Sequence, residues 1–380
     1  MRHRSRGQGV SEYLVVLIAL VVAALGATAV FGPVLAAKVG TFTLDGGGTN
    51  PGPGPNPAPQ LPYMSDLGTA GAPKGTALAV SGTTVAGRLD YAASSVAAAW
   101  GLADVAAGPA MLTPNDGATI ASAYSTDGRW VGGNTGPSAW LYDQQANTTT
   151  TIGSPEGLAF TRTMVRSIVQ QGGGQPLVAA GTIGSPGSRC YVHDGSAWRR
   201  LGAGAPTCQV AGADASTLVA TMNTTGANRV YTVDIATGAE TALPMPAAAS
   251  SVTAGGMSGT KVAAYALGAN WPDGGGVHAL VYDLAAGTYT DLGRIGASGS
   301  TVAGISGSLV VGTAYDGTTY HAFVDDITNP GVIWLGEFAG DTDSGATAID
   351  GRIVVGHSGT RSGATWTTQR PMAWNLDAPH

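Results

Sequence analysis

A short line of sequence recurs along the chain from Tyr63 onward and constrains the fold more than any other feature. The best-matched copies are SAWLYD (138–143), RCYVHD (189–194), RVYTVD (229–234), HALVYD (278–283), HAFVDD (321–326) and MAWNLD (372–377), with AAWGLA (98–103) a weaker copy. Their third letters, used as anchors, are Trp100, Trp140, Tyr191, Tyr231, Leu280, Phe323 and Trp374, spaced 40 to 51 residues apart. Four-stranded propeller blades repeat at roughly 40 to 50 residues, so the spacing predicts a β-propeller.

Each repeat also contains a turn that precedes a β-branched run. The clearest examples are DG (127–128) before RWVGG, SG (306–307) before SLVVG and DG (350–351) before RIVVG, with further copies at 81–82, 214–215 and 258–259. Glycine supplies the positive φ that tight hairpin turns need. Each unit is therefore predicted to contain antiparallel strands joined by hairpins.

The two ends of the repeat region are predicted to close the fold. The first turn unit, which starts at Asp66-Leu67-Gly68, lacks an aromatic strand of its own, and the last aromatic strand, 371–378, lacks a turn unit. We expect these fragments to pair, so that strand 371–378 completes the first of seven blades and no sheet edge is left open. An open β-solenoid also fits the unequal spacings and stays the alternative.

Two of the copies carry a further pattern. HAL (278–280) is followed by DLG (291–293), and HAF (321–323) is followed by LG (335–336). This sequence pattern resembles that of HAF-repeat proteins, which are exported chains. The resemblance implies a propeller and does not imply an activity. We expect His278 and His321 to complete hydrogen bonds at blade edges.

An apolar segment near the start has a different character. The 25 residues from Tyr13 to Ala37 include no charged side chain. As a helix they would extend about 37 Å, enough to cross a hydrocarbon core of about 30 Å. The preceding arginines, Arg2, Arg4 and Arg6, favour a cytoplasmic N-terminus. A secretory signal peptide would have a shorter apolar region and no acid at its start, so Glu12 and the length argue against one.

The residues before this segment resemble those of prepilins of the Flp (tight-adherence) branch of type IV pilins. The basic leader ends in Gly7, Gln8 follows, and Glu12 and Tyr13 directly precede the apolar run. The resemblance implies that a membrane prepilin peptidase cuts between Gly7 and Gln8, which places Glu12 fifth in the mature chain. Glu12 and Tyr13 then belong to the filament-assembly segment, and Glu12 could pair with the free α-amino group of a neighbouring subunit.

The chain therefore divides into four predicted parts: a leader (1–7), a transmembrane or filament-core helix (8–44), a Pro/Gly linker (45–62) and a β-propeller (63–380). The expected fold is thus mainly β, a seven-bladed propeller preceded by one long helix. The linker, rich in Gly, Pro and Asn, could separate helix and propeller by up to roughly 56 Å if it adopts polyproline II.

Composition narrows the choice of partners. Only 11% of the residues are charged, and the formal net charge of -6 leaves no basic patch for nucleic acid. The only cysteines, Cys190 and Cys208, are predicted on successive strands of one repeat unit. In an exported domain they are expected to form a disulfide, with two buried free thiols as the alternative.

No enzymatic or metal motif emerges from the chain. Asp341, Asp343 and Gly345 form a D-x-D-x-G that could offer oxygens to calcium, but calcium needs six to eight oxygens, so this is a weak candidate. The sequence contains no H-E-x-x-H motif and no phosphate-binding loop between a strand and a helix. We therefore expect no cofactor and no enzymatic activity.

The sequence favours a structural subunit of a Flp/Tad-type pilus that displays a propeller for adhesion. Its expected partners are other copies of itself, the prepilin peptidase and assembly machinery, the membrane before assembly, and a surface glycan or protein as ligand. The precursor would lie in the cytoplasmic membrane and the mature subunit at the cell surface. The alternative is a single-pass anchored propeller that acts as a sensor, a binding module or a carbohydrate-active enzyme.

Overall fold

The computed structural model describes residues 63–378 apart from 113–120, 158–160, 172–173, 185–186, 203, 225 and 297–298. The predicted leader (1–7), helix (8–44) and linker (45–62) lie outside the described residues. Within the described part of the chain, no helix has the length and apolar character needed to cross a membrane.

Nearly all regular structure in these residues is β-strand. The strands in chain order are β1 Met64–Asp66, β2 Lys74–Ser81, β3 Thr84–Asp90, β4 Ser95–Gly101, β5 Ala110–Leu112, β6 Ser122–Thr126, β7 Trp130–Thr135, β8 Ser138–Asp143, β9 Thr148–Gly153, β10 Arg162–Val169, β11 Leu177–Ile183, β12 Cys190–His193, β13 Trp198–Leu201, β14 Thr207–Ala213, β15 Thr217–Asn223, β16 Asn228–Asp234, β17 Glu240–Ala242, β18 Ser251–Ser258, β19 Lys261–Gly268, β20 Gly276–Asp283, β21 Thr288–Gly293, β22 Gly299–Ser306, β23 Leu309–Tyr315, β24 Tyr320–Asp326, β25 Ile333–Trp334, β26 Asp343–Asp350, β27 Ile353–Ser362 and β28 Thr365–Asn375. Two short 3₁₀ helices span Val105–Ala107 and Pro155–Gly157.

The strands form units of four that follow one another in sequence. Five units are separate antiparallel sheets: β6–β9, β10–β13, β14–β17, β18–β21 and β22–β25. The remaining sheet has eight strands, in which β2–β5 form one run and β26–β28 with β1 form the other. A single parallel bridge between Lys74 and Gln369 joins these two runs.

The units are arranged in a closed ring. The first strands contact one another in the order β2, β6, β10, β14, β18, β22 and β26, and β26 in turn contacts β2. At this last contact the hydroxyl of Thr347 donates to the carbonyl oxygen of Ala77 at 2.6 Å. The amide of Gly82 donates to Asp350 Oδ2 at 2.7 Å. Contacts between residues this far apart in sequence exclude an open solenoid.

The two ends of the repeat region do pair, but not in the predicted sheet. Strand β1 lies antiparallel to β28, with Met64 opposite Trp374 and Asp66 opposite Met372. The prediction that strand 371–378 completes the first unit is wrong, since β28 follows β26 and β27 in its own sheet. The first unit has its own aromatic strand, β4. The error arose because Asp66-Leu67-Gly68 is the end of an outer strand, like DLG (291–293) at the end of β21, and not the start of a turn.

The repeated anchors, which are aromatic in every unit except the one that carries Leu280, pack into the core between neighbouring units. Six of the seven anchors are at most 2% exposed, and Tyr231 is half-buried; the six are Trp100, Trp140, Tyr191, Leu280, Phe323 and Trp374. Rings of this size remove large apolar areas from water, so they contribute strongly to the stability of each unit.

In two of the units a glycine on the second strand makes room for the anchor ring. Gly133 lies opposite Trp140, and Gly312 lies opposite Phe323. A Cβ at Gly133 would lie 2.1 Å from the carbonyl oxygen of Ser122 and 2.3 Å from the Trp140 ring. The β-branched residues before the glycine fill the core, while the glycine itself must stay without a side chain.

This packing makes a stability prediction. We expect Gly133→Ala to lower the free energy of unfolding by about 1–3 kcal/mol, the usual penalty for overpacking a core. The matched control is Gly101→Ala, because a Cβ at Gly101 would meet nothing within 4 Å. That control should stay within about 0.5 kcal/mol of the native chain. Denaturant unfolding of both variants tests the difference, and equal stabilities would contradict this account.

Candidate functional site

The ring has two faces that differ in their loops. We call upper the face that carries the loops between the second and third strands of each unit, such as 269–275 and 316–319, together with the links between units. The lower face carries the Asp-Gly and Ser-Gly turns between first and second strands. Because the strands of a unit alternate in direction, all loops of one kind lie on one face.

The acids and serines of the lower turns hold the turns themselves. Asp214 Oδ1 accepts the amides of Ser216 and Thr217, both at 2.7 Å. Neighbouring turns also contact each other, since the amide of Gly351 donates to Ser306 Oγ at 2.9 Å. These polar side chains are therefore already engaged in structural hydrogen bonds, and candidate binding groups must be sought on the upper face.

The first cluster on the upper face is centred on His278, which is buried. Its ring stacks on Trp271 with centroids 3.9 Å apart. Nδ1 lies 3.0 Å from Asp291 Oδ1, and Nε2 lies 3.0 Å from Asp273 Oδ1. The histidine thus links the loop before β20 to the outer strand β21 of the same unit.

His321 repeats this arrangement in the next unit. Its Nδ1 lies 2.7 Å from Glu337 Oε1, and its Nε2 lies 3.1 Å from Asp316 Oδ2 and 2.8 Å from Thr319 Oγ1. We expected one hydrogen bond at a blade edge, whereas each histidine bridges two carboxylates. Sequence reasoning missed both pairs of acids. The available signal was an aspartate five residues before each histidine, Asp273 and Asp316.

The carboxylates set the protonation of His321. Burial lowers the pKa of its imidazole, but hydrogen bonds to Glu337 and Asp316 and the charges of both acids together raise that pKa above its ordinary value. Backbone hydrogen bonds from Thr319 and Thr318 lower the pKa of Asp316, so this acid stays ionised in the same pH range. The cluster therefore favours a charged imidazolium.

This shift predicts a pH-dependent contribution to stability. A raised histidine pKa stabilises the folded state fully below the ordinary value of about 6.5, and the contribution is lost as pH rises through the folded pKa. We expect His321→Gln to reduce the free energy of unfolding more at about pH 6 than at about pH 8, measured by denaturant unfolding.

His193 supplies a control, because its pKa is shifted in the direction opposite to that of His321. Burial lowers the pKa of His193, with the charge of Asp194 opposing this effect, so the native chain loses stability at this site as pH falls. His193→Gln should remove that loss, and its destabilising effect should therefore shrink at low pH. The same pH slope in both variants would contradict the assignment at His321.

A third cluster combines aromatic rings with an arginine. The long hairpin β27–β28 carries Arg361 and Trp366, and the guanidinium of Arg361 lies 4.5 Å from the Tyr320 ring centroid and 5.0 Å from that of Trp366. The rings of Tyr315 and Tyr320 lie 4.8 Å apart. We call these four residues the aromatic surface. Tyr320 is 37% exposed, so a ligand can reach its ring.

A half-buried histidine, His357, packs against the aromatic surface. The ring of His357 meets Trp366 edge-on with centroids 4.8 Å apart. Burial, aided by the charge of Arg361 and opposed by that of Asp343, lowers the pKa of His357 to about 4. The imidazole is therefore neutral at neutral pH and acts as packing.

The weak calcium candidates are engaged with protein donors. Asp341 Oδ2 accepts from Ser358 Oγ at 2.8 Å and from Arg370 Nε at 3.0 Å. Asp343 is buried and accepts the amide of Tyr320 and the hydroxyl of Thr342. A guanidinium beside a carboxylate disfavours a cation there. Among the described residues, no group of three or more His, Cys, Asp or Glu side chains is placed to hold a metal ion.

The two cysteines are joined across neighbouring units. Cys190 and Cys208 have sulfurs 1.98 Å apart and Cα atoms 5.4 Å apart, and both are buried. They were predicted within one unit, but Cys190 lies on β12 and Cys208 on β14, the first strand of the next sheet. A loop of about this size contributes about 3 kcal/mol in the chain-entropy model.

The remaining predicted site residues, Gly7, Gln8, Glu12 and Tyr13, lie outside the described residues.

Known proteins resemble this chain in structure but not in sequence. No family model matches the chain, and no curated protein matches it in sequence. The β-propeller domain of the Trilobed protease from Pyrococcus furiosus has a TM-score of 0.53 at 11% identity, covering 79% of this chain and 92% of that one. Acylaminoacyl peptidase from Pyrococcus horikoshii has a TM-score of 0.52 at 14% identity, covering 81% of this chain and 52% of that one. TolB from Acinetobacter baumannii has a TM-score of 0.44 at 13% identity, covering 78% of this chain and 65% of that one.

At these identities the likeness establishes the fold alone, and the described residues form a β-propeller. The Pyrococcus furiosus domain is described as having an open velcro topology. In this chain, by contrast, β1 pairs with β28. The ring is therefore fastened by hydrogen bonds between its two ends.

Proposed function

We propose that this chain is the structural subunit of a Flp/Tad-type filament, in which the N-terminal helix polymerises and the propeller is displayed for adhesion. The prepilin-like residues Gly7, Gln8, Glu12 and Tyr13 motivate the assembly role. The single observation that carries the display role is where the chain enters the propeller. Tyr63 precedes β1 at the lower face, where its carbonyl oxygen accepts the amide of Asn375 at 2.8 Å.

This entry point orients the display. A linker (45–62) that joins the lower face leaves the upper face pointing away from the filament. The aromatic surface and both histidine clusters belong to that upper face. Exposed rings such as Tyr320 bind the apolar faces of sugars and aromatic side chains, and Arg361 adds a cation. A surface glycan or a protein is therefore the proposed ligand, and a binding role is proposed in place of catalysis.

We further propose that the propeller has seven blades. Five are the separate four-stranded sheets, and two are the four-stranded runs of the eight-stranded sheet. The HAF-repeat resemblance and the division into leader, helix, linker and propeller support this organisation. The precursor would lie in the cytoplasmic membrane and the mature subunit at the cell surface.

Electron cryo-microscopy of filaments from cells that express the full chain tests this function. We expect thin filaments with a disc-shaped domain at each subunit, and N-terminal sequencing of those filaments that begins at Gln8. An uncleaved N-terminus in a chain that forms no filaments would overturn the proposal. It would instead favour a single-pass anchored propeller that acts as a sensor, binding module or carbohydrate-active enzyme.

A further inference from the structure

The centre of the ring contains a cavity of about 260 Å³. It is lined by the first strand of every four-stranded unit, and each of these strands has a register irregularity at the cavity. The residues at these irregularities are Leu78, Tyr124, Arg166, Ala211, Gly255, Ala303 and Thr347. The fold therefore turns one extra residue of each unit toward the same central space.

Among the described residues that line this cavity, Arg166 is the only charged one. Its nearest described partners are weak: Nη2 lies 3.6 Å from the sulfur of Met164, and the guanidinium lies 5.5 Å from the Tyr124 ring centroid. No described carboxylate forms an ion pair with it, although other arginines such as Arg129 and Arg370 have acidic partners. Burial lowers the pKa of Arg166, with Tyr124 opposing this effect. An arginine remains protonated even so, and the cavity therefore holds an unneutralised positive charge.

The serine and threonine hydroxyls that could compete with Arg166 do not face the cavity as free donors. Ser167 donates to the carbonyl oxygen of Ala213, and Thr347 donates to that of Ala77. The hydroxyl oxygen of Ser125 is buried and closed to solvent. Arg166 is therefore the donor group with which a ligand in this cavity would pair.

We propose that the central cavity binds a small anion, a carboxylate or a halide, through the Arg166 guanidinium. A guanidinium binds carboxylates in bidentate geometry. Since one water occupies about 30 Å³, the cavity has room for an acetate-sized anion together with several waters. The other described lining residues are neutral, so none of them presents a negative charge that would repel the anion.

Quadrupolar chloride NMR tests the site directly. The full-length chain is purified in neutral detergent, in a buffer whose only other anion is a bulky sulfonate. We expect the native chain to broaden the chloride resonance and Arg166→Gln to abolish the part of the broadening due to this site. The control Arg352→Gln removes an exposed arginine that pairs with Asp377, and it should leave that part unchanged. Equal broadening by the native chain and Arg166→Gln would overturn the proposal.

Competition identifies the class of anion. Sodium acetate that narrows the chloride line in the native chain supports a carboxylate ligand, and a line unaffected by acetate supports a halide. Should Arg166→Gln fail to fold, Arg166→Lys provides the second test. It keeps the positive charge, removes the planar bidentate fork, and should reduce the broadening without abolishing it. Bromide-soaked crystals should show an anomalous peak beside Arg166, and the lack of such a peak would count against the site.

Discussion

A chain that ends at residue 370 is expected to lose its folded propeller. The deletion removes Pro371–Asn375, the half of β28 that lies between β27 and β1. Met372 and Trp374 are both fully buried in the core of this unit. Removal of a buried tryptophan side chain alone costs about 3–5 kcal/mol, and a typical domain is stable by only about 5–15 kcal/mol.

The truncation also leaves two edges without partners. Strand β27 loses its neighbour along Ile353–His357, and β1 loses its only pairing partner. Unpaired edges favour association between chains, so the truncated protein should aggregate and become sensitive to protease. Limited proteolysis and light scattering of the full chain and of the chain lacking 371–380 measure both effects. An unchanged melting temperature in the truncated chain would contradict the closure by β1 and β28.

Two single substitutions test whether the destabilisation comes from the buried closing strand β28 or from the loss of any large apolar side chain. Trp374→Ala should reproduce much of the destabilisation, because Trp374 is fully buried. The matched control is Trp334→Ala in the short outer strand β25, where Trp334 is 47% exposed. A surface substitution of this kind is expected to change stability by no more than about 0.5 kcal/mol.

The parts of the fold that could be predicted from sequence are those with one dominant physical cause. A large side chain recurs on the third strand of each unit, from Trp100 to Trp374, and it is an aromatic ring in every unit except the one that carries Leu280. In two units a glycine lies opposite the ring and leaves a second mark, at Gly133 and Gly312. These glycines show in the sequence because a Cβ at either position would collide with the ring.

The missed features depend on contacts between distant segments. The role of Asp66-Leu67-Gly68 is fixed by pairing with β28, more than 300 residues away, and nothing local distinguishes the end of an outer strand from the start of a turn. Of the two acids around His321, Asp316 lies only five residues before it, but Glu337 comes from beyond the outer strand and had no local signal. Arg166 has no local signal either, because a bulge in each first strand decides which residue faces the cavity.

The prediction with the sharpest outcome concerns the processed N-terminus. Changing Gly7 to valine is expected to block cleavage, because the resemblance implies that the prepilin peptidase requires glycine at this position. The product should keep its arginine leader and remain in the membrane. Immunoblotting of membrane fractions should show a longer chain, and filaments should be absent. Normal cleavage of Gly7→Val would remove Gly7 from the cleavage site.

Glu12→Ala should fail at a later step. The substitution removes an acid at the start of an apolar segment, which eases insertion into the membrane, and it does not alter the bond between Gly7 and Gln8 at which cleavage is proposed. Cleavage should therefore continue. Filaments should be lost or greatly reduced, because the α-amino group of Gln8 on a neighbouring subunit would be buried without its counter-charge. The control Ser11→Ala changes an adjacent polar residue and keeps the charge, so it should assemble normally. Processed Glu12→Ala subunits that form filaments in normal yield would rule out the pairing of Glu12 with the amine, because assembly would then need no carboxylate at this position.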